Sequence, residues 1–70
     1  MQRYDAVEVG RRLREMRGIR TRIGVSKETG IGLSALQGYE QGRRTPDPDT
    51  MIILANYYNT SVQHLFFDQW

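Results

Sequence analysis

Nine of the ten cations in this chain are arginines, and the guanidinium fork is the side chain best shaped to grip phosphate oxygens in pairs. From Gly10 to Arg44 stand Arg11, Arg12, Arg14, Arg17, Arg20, Arg22, Lys27, Arg43 and Arg44 against Glu15, Glu28 and Glu40, a balance of +6. The remainder carries Arg3 against Asp5, Glu8, Asp47, Asp49 and Asp68, a balance of −4. A net charge of +2 thus conceals a basic first half and an acidic remainder. That distribution suits a protein meeting a polyanion on one side. A solvated helix face is the other reading of such a charge run.

Most other chemistry is excluded by residue type. There is no cysteine, so neither a disulfide framework nor a thiolate metal site is available. His64 is the only histidine, which leaves no imidazole cluster for a metal or a catalytic triad. Asp47 and Asp49 flank Pro48 as a helix cap and a first-turn acid rather than a catalytic pair. The stretch GVSKETG lacks the Gly-Lys-Ser/Thr ending of a phosphate-binding loop. Nothing assembles a nucleophile, a base and an oxyanion donor, so the chain is expected to be no enzyme and to need no cofactor or metal. No apolar run approaches the ~18 residues of a membrane span, and no signal-peptide h-region opens the chain. A cytoplasmic protein without a membrane partner is expected.

Something must position the arginines. Ala6, Val9, Leu13 and Met16 recur at helical spacing, which predicts a helix over 6–17 stopped at Gly18. Thr21 can cap a second helix over 22–29, despite the ~1 kcal/mol cost of Gly24 relative to alanine. Gly30 ends it in the left-handed conformation that glycine alone adopts cheaply. A third helix runs from about Leu33 to Gln41, with Gly42 just beyond. Asp47 and Pro48 start a fourth, burying Met51, Leu54, Ala55 and Tyr58, and Asn59 stops it. Thr60 or Ser61 starts a short fifth that carries Val62, Leu65 and Phe66. No strand pattern appears. Seventy residues make one domain, 1–70, with a small core. The expected fold is all-α, five short helices in a compact arrangement, with residues 22–41 laid out as a helix-turn-helix and helices 4 and 5 over about 48–67.

The stretches VGRRLREMR, TGIGLSALQGYEQGRRTPD and LANYYNTSVQHLF span nearly the whole chain. Together they resemble the phage-repressor and Cro-type helix-turn-helix family, the xenobiotic-response-element type. One departure is visible. Between Arg17 and Thr21 the chain is about two residues shorter than that family allows, and Arg22 stands where a glutamine is usual. A competing alignment starts the second helix near Ser26.

The resemblance implies a repressor-like DNA-binding domain whose third helix enters the major groove. It implies base-facing positions at Leu33, Ser34, Gln37 and Gly38, and phosphate contacts at Arg20, Thr21, Arg22, Gln41, Arg43 and Arg44. Gln37 suits adenine, and Leu33 a thymine methyl. Against these stand plainer roles: Leu33 as core cover, Gln37 as a solvated helix residue, and Gly38 as a packing position. The resemblance also implies a buried ion pair between Arg17 and Glu40. Ile53 and Tyr57 lie opposite the buried face of the fourth helix, and with Phe67 and Trp70 they form a candidate self-association surface. In the alternative, Phe67 and Trp70 fold back onto the core. The function expected is sequence-specific binding of double-stranded DNA by a homodimeric transcriptional repressor. The alternative is an antitoxin or other protein-interaction module on the same fold.

Overall fold

The computed structural model describes residues 4–67. Five helical elements follow one another: α1 (Ala6–Arg17), α2 (Arg22–Thr29), α3 (Leu33–Glu40), α4 (Pro48–Tyr57) and α5 (Gln63–Phe67). No strand occurs among the described residues. The fifth element is wound as a single wide π-type turn rather than an α-helix. It begins two residues after Ser61, whose hydroxyl accepts from the His64 N–H at 3.0 Å.

Each start has a local cause. The carboxylate of Asp5 accepts from the Glu8 N–H at 3.2 Å, the Thr21 hydroxyl from Gly24 at 2.9 Å, and Asp47 from Thr50 at 2.8 Å. These bonds satisfy N–H groups that have no partner within the first turn. Pro48 follows its cap at the one turn where a missing N–H is harmless. The stops are equally local: Gly30 takes φ 79° after α2, and Asn59, the one non-glycine with positive φ among the described residues, takes 57° after α4. Gln41 falls just outside α3 as its C-cap residue, so the observed helix ends one residue earlier than the apolar spacing suggests.

Val9 and Leu13 of α1, Val25 of α2, Leu36 and Tyr39 of α3, Met51, Leu54 and Ala55 of α4, and Leu65 and Phe66 of α5 form one core with Ile31 and Tyr58. Phe66 and Leu65 are completely enclosed, and burial of each such side chain contributes roughly 1.5–3 kcal/mol. α3 sits at the centre, packed on α1 and on α2, while α5 returns to α1 and α2 leans on α4.

Two short connections hold α2 against α3. The Ser26 hydroxyl donates to the Ile31 carbonyl at 2.6 Å. The Thr29 hydroxyl accepts from the Ile31 N–H at 3.2 Å while donating to the Val25 carbonyl. The turn between the helices therefore has its backbone groups satisfied by α2 side chains. α2 begins at Arg22 and not at Ser26, so the shortened junction after α1 is absorbed in the loop 18–21 and not in the helix.

Candidate nucleic-acid interface

α3 has two unlike sides. On the inner side, Glu40 is 3% exposed and receives two arginines. Arg17 donates through Nε at 2.9 Å and through Nη2 at 3.1 Å, a bidentate pairing of the strongest kind. Arg22 donates through Nε at 2.9 Å. A third arginine, Arg14, donates to the Glu40 backbone carbonyl, one of the acceptors the helix end leaves open. The hydrogen bond to Glu40 raises the already high pKa of Arg17, so Arg17 stays protonated at any ordinary pH. The same end of α3 presses on α1: a Cβ at Gly10 would lie 2.4 Å from the Glu40 carbonyl oxygen. Only glycine permits that approach.

The structure thus brings Arg17 and Glu40 together and adds a partner that the sequence placed elsewhere. Arg22, read as a phosphate residue, spends its Nε on Glu40 while its side chain stays 30% exposed. No local spacing links residues 17, 22 and 40, so only the tertiary fold could reveal the three-membered cluster.

On the outer side, Ser34 is exposed, Leu33 is 37% exposed and Gln37 is half-buried. Leu33 and Gln37 are one helical turn apart and line an open depression of about 350 Å³ together with Arg17, Thr21, Arg22 and Ile23. The first turn of α2 and the outer face of α3 therefore share one surface. α3 starts at Gly32 with no side-chain cap, so its first-turn N–H groups point outward unoccupied by any side-chain oxygen at the cap.

Gly38 departs from the base-facing position expected for it. It is buried, because the stem of Arg44 lies across it: a Cβ at Gly38 would meet Arg44 Cδ at 2.7 Å and Cγ at 2.8 Å. The Gly38 carbonyl accepts from the N–H groups of Arg43 at 2.9 Å and Arg44 at 3.2 Å, and the Arg44 guanidinium stands 5.9 Å from the Tyr39 ring centroid. Gly38 is the seat of an arginine rather than a surface of its own. Gln41, Arg43 and Arg44 are exposed at this end of α3. Thr21 and Arg20 are exposed just before α2, and Arg20 also lies over the Tyr57 ring at 5.6 Å. Arg17 and Arg22 thus line the depression beside Leu33 and Gln37, and Arg43 and Arg44 are exposed just beyond the end of α3.

The residues expected to self-associate differ in exposure. Ile53 is 41% exposed beside Ile52 at 51%, a neighbour that the sequence reading passed over. Tyr57 is half-buried and donates to the Glu28 carboxylate, which raises its pKa. Phe67 packs against the core edge-on to Tyr4, with centroids 6.1 Å apart. Trp70 lies outside the described residues. His64 is exposed, with its ring nitrogen Nε2 3.2 Å from Arg12. No group of three metal-ligating side chains occurs among the described residues, nor a helix long and apolar enough to cross a membrane.

Comparison with known proteins adds three findings. Residues 11–65 match the helix-turn-helix family model. The HTH-type transcriptional regulator ImmR of Bacillus subtilis (strain 168) is 36% identical over 61 residues, covering 84% of this chain. The chain spans about half the length of that curated relative, 48%. Among solved structures, the restriction-modification controller protein C.AhdI of Aeromonas hydrophila superposes with a TM-score of 0.78 at 28% identity, over 89% of this chain and 97% of that one.

Proposed function

Since this chain belongs to the phage-repressor and Cro-type helix-turn-helix family, we propose that it binds double-stranded DNA sequence-specifically and represses transcription as a homodimer, acting in the cytoplasm without catalysis. α3 enters the major groove, with Leu33, Ser34 and Gln37 toward the base edges. The observation that carries this reading is the surface that Leu33 and Gln37 of α3 share with Arg17, Thr21, Arg22 and Ile23, with Arg43 and Arg44 exposed just past the helix. Phosphates on either side of a groove would meet Arg20, Thr21 and Arg22 at one edge and Gln41, Arg43 and Arg44 at the other. Such contacts fix the register, and the groove residues choose the sequence. The names of the relatives, a transcriptional regulator and a controller protein, support the same class.

Self-association runs through Ile52 and Ile53, the exposed apolar pair of α4, used isologously in a symmetric dimer. Half-sites then lie about one helical turn apart, roughly 10–10.5 base pairs centre to centre.

Gel shift with duplex fragments from the promoter of its own gene, repeated across salt concentrations, tests the reading. Each neutralised phosphate contributes roughly −0.9 to the slope of log affinity against log salt, so four contacts per subunit give about −4 and a dimer about twice that. Gln37→Ala should relax preference at one base pair by roughly 1–3 kcal/mol. Affinity that stays weak and indifferent to salt would overturn the proposal. Sedimentation as a clean monomer at high micromolar concentration would overturn the dimer.

A further inference from the structure

Ile23 stands 56% exposed in the first turn of α2, and neither it nor Leu33 belongs to the core cluster. A single exposed isoleucine is unremarkable. Two apolar side chains lining one depression, with Arg17, Arg22, Thr21 and Gln37 as the rest of its wall, are a different matter. They are the two apolar side chains among the residues that line it. The major groove offers one apolar group that such a surface can recognise, the methyl on C5 of thymine. The same methyl on the same ring atom occurs in 5-methylcytosine.

We propose that Ile23 and Leu33 form a reader of pyrimidine 5-methyl groups, so that this protein distinguishes methylated from unmethylated C5 positions in its DNA site. The inference rests on the DNA-binding reading above and deepens it. Four observations support it. The depression joins α2 to α3, so it lies where a base edge beside α3 would face both helices. Arg22 is anchored by Nε to Glu40 at 2.9 Å, which fixes one wall of the depression that Ile23 and Leu33 line. Gln37, on the same wall, supplies the hydrogen-bonding group that reads an adjacent base edge while the methyl fills the carbon surface. Finally, the other outward residue of α3, Ser34, hydrogen-bonds with either base type and discriminates little, so apolar contact must carry part of the selection.

The test begins with a random duplex library, from which the full chain enriches its preferred sequence. Each thymine of that duplex is then replaced singly by deoxyuridine, which deletes the methyl and leaves every hydrogen-bonding atom in place. Burying one methyl contributes about 0.8 kcal/mol, or roughly a fourfold change in affinity. The expected result is a loss of that size at one or two thymines per half-site and none at the others. At those positions cytosine should bind more weakly still, and 5-methylcytosine should recover about fourfold over cytosine. Ile23→Ala and Leu33→Ala, both at exposed positions and checked for unchanged melting, should abolish the difference between thymine and uracil there. Uracil tolerated everywhere by a protein that still binds its duplex tightly would overturn the methyl reader and leave DNA binding standing. A uracil penalty that survives both substitutions would assign the methyl to other residues and overturn it too. Absence of any salt-dependent duplex binding would overturn both the reader and the function on which it rests.

Discussion

The inner and outer sides of α3 spend charge in opposite ways. Inside, one carboxylate at 3% exposure is surrounded by Arg17, Arg22 and, on its own carbonyl, Arg14. Outside, α3 carries Leu33, Ser34 and Gln37, none of them charged, and the cations beside Leu33 and Gln37 come from other elements, Arg17 of α1 and Arg22 of α2. A buried carboxylate left alone would be strongly destabilising, so the inner side is overdetermined by partners. An outward residue makes no such demand until a ligand arrives. One eight-residue helix therefore holds a rigid half, fixed by its contacts, and a half free to be tuned for sequence.

Removing both partners of Glu40 tests the rigid half most severely. Arg17→Met leaves Glu40 with Arg22, and Arg22→Met leaves it with the bidentate Arg17, so each alone should cost less than the pair. Together they strand the carboxylate, and the combined loss should reach about 3–5 kcal/mol, more than the sum of the singles because the two arginines share one acceptor. Urea midpoints of the four proteins measure this. Simple additivity would show that Glu40 is not the common partner. Gly10→Ala comes next. Its methyl would meet the Glu40 carbonyl at 2.4 Å, and forcing α1 and α3 apart should cost roughly 1–3 kcal/mol. An unchanged melting temperature would show that the close approach is not needed.

At the edge between the halves, Arg43→Ala should weaken binding to all duplexes alike and flatten the salt slope by about 0.9. Gly38→Ala sharpens the comparison, since its methyl displaces the Arg44 stem. Gly38→Ala and Arg44→Ala should each lower DNA affinity, and the double variant should be no weaker than Arg44→Ala alone. Full additivity would separate the glycine from the arginine.

The smallest effect is a titration on the inner side. Burial first, and then the nearby Glu40 carboxylate, push the Tyr58 phenol from its ordinary 10.0 up to about 12. The phenol therefore ionises first in the unfolded chain. Its contribution to stability is intact below about pH 10 and disappears as the pH rises to about 12. In Tyr58→Phe the fall of stability across that window should be shallower, as followed by urea midpoints. An identical pH profile would place Tyr58 in water.

How much of this was written in the sequence depends on how local the cause is. The helix starts at Thr21 and Asp47 and the stops at Gly30 and Asn59 are set by residues within one turn, and reading those residues places the elements correctly. The apolar spacing of Val9 and Leu13, and of Met51, Leu54 and Tyr58, likewise marks the buried faces. What the sequence could not show are relations across the fold. Gly10 meets the end of α3 thirty residues later, Arg44 folds over Gly38, Tyr57 reaches Glu28, and Arg22 joins Arg17 on one carboxylate. None has a periodicity to betray it. Ile23 escaped notice for a related reason, since a lone apolar residue in a weak helix resembles core until its neighbours are known.

The return of α5 to α1 has a consequence for how the protein is made. Val9 and Leu13 leave the ribosome well before Leu65 and Phe66, which are completely enclosed in the same core. Contacts between distant stretches form only after the chain between them has been gathered. A nascent chain that has emerged only as far as α4 displays an apolar hollow where α5 belongs, and such surface invites aggregation. α5 acts as a latch on the folding of this domain, and until it closes the central helix α3 rests on an incomplete foundation.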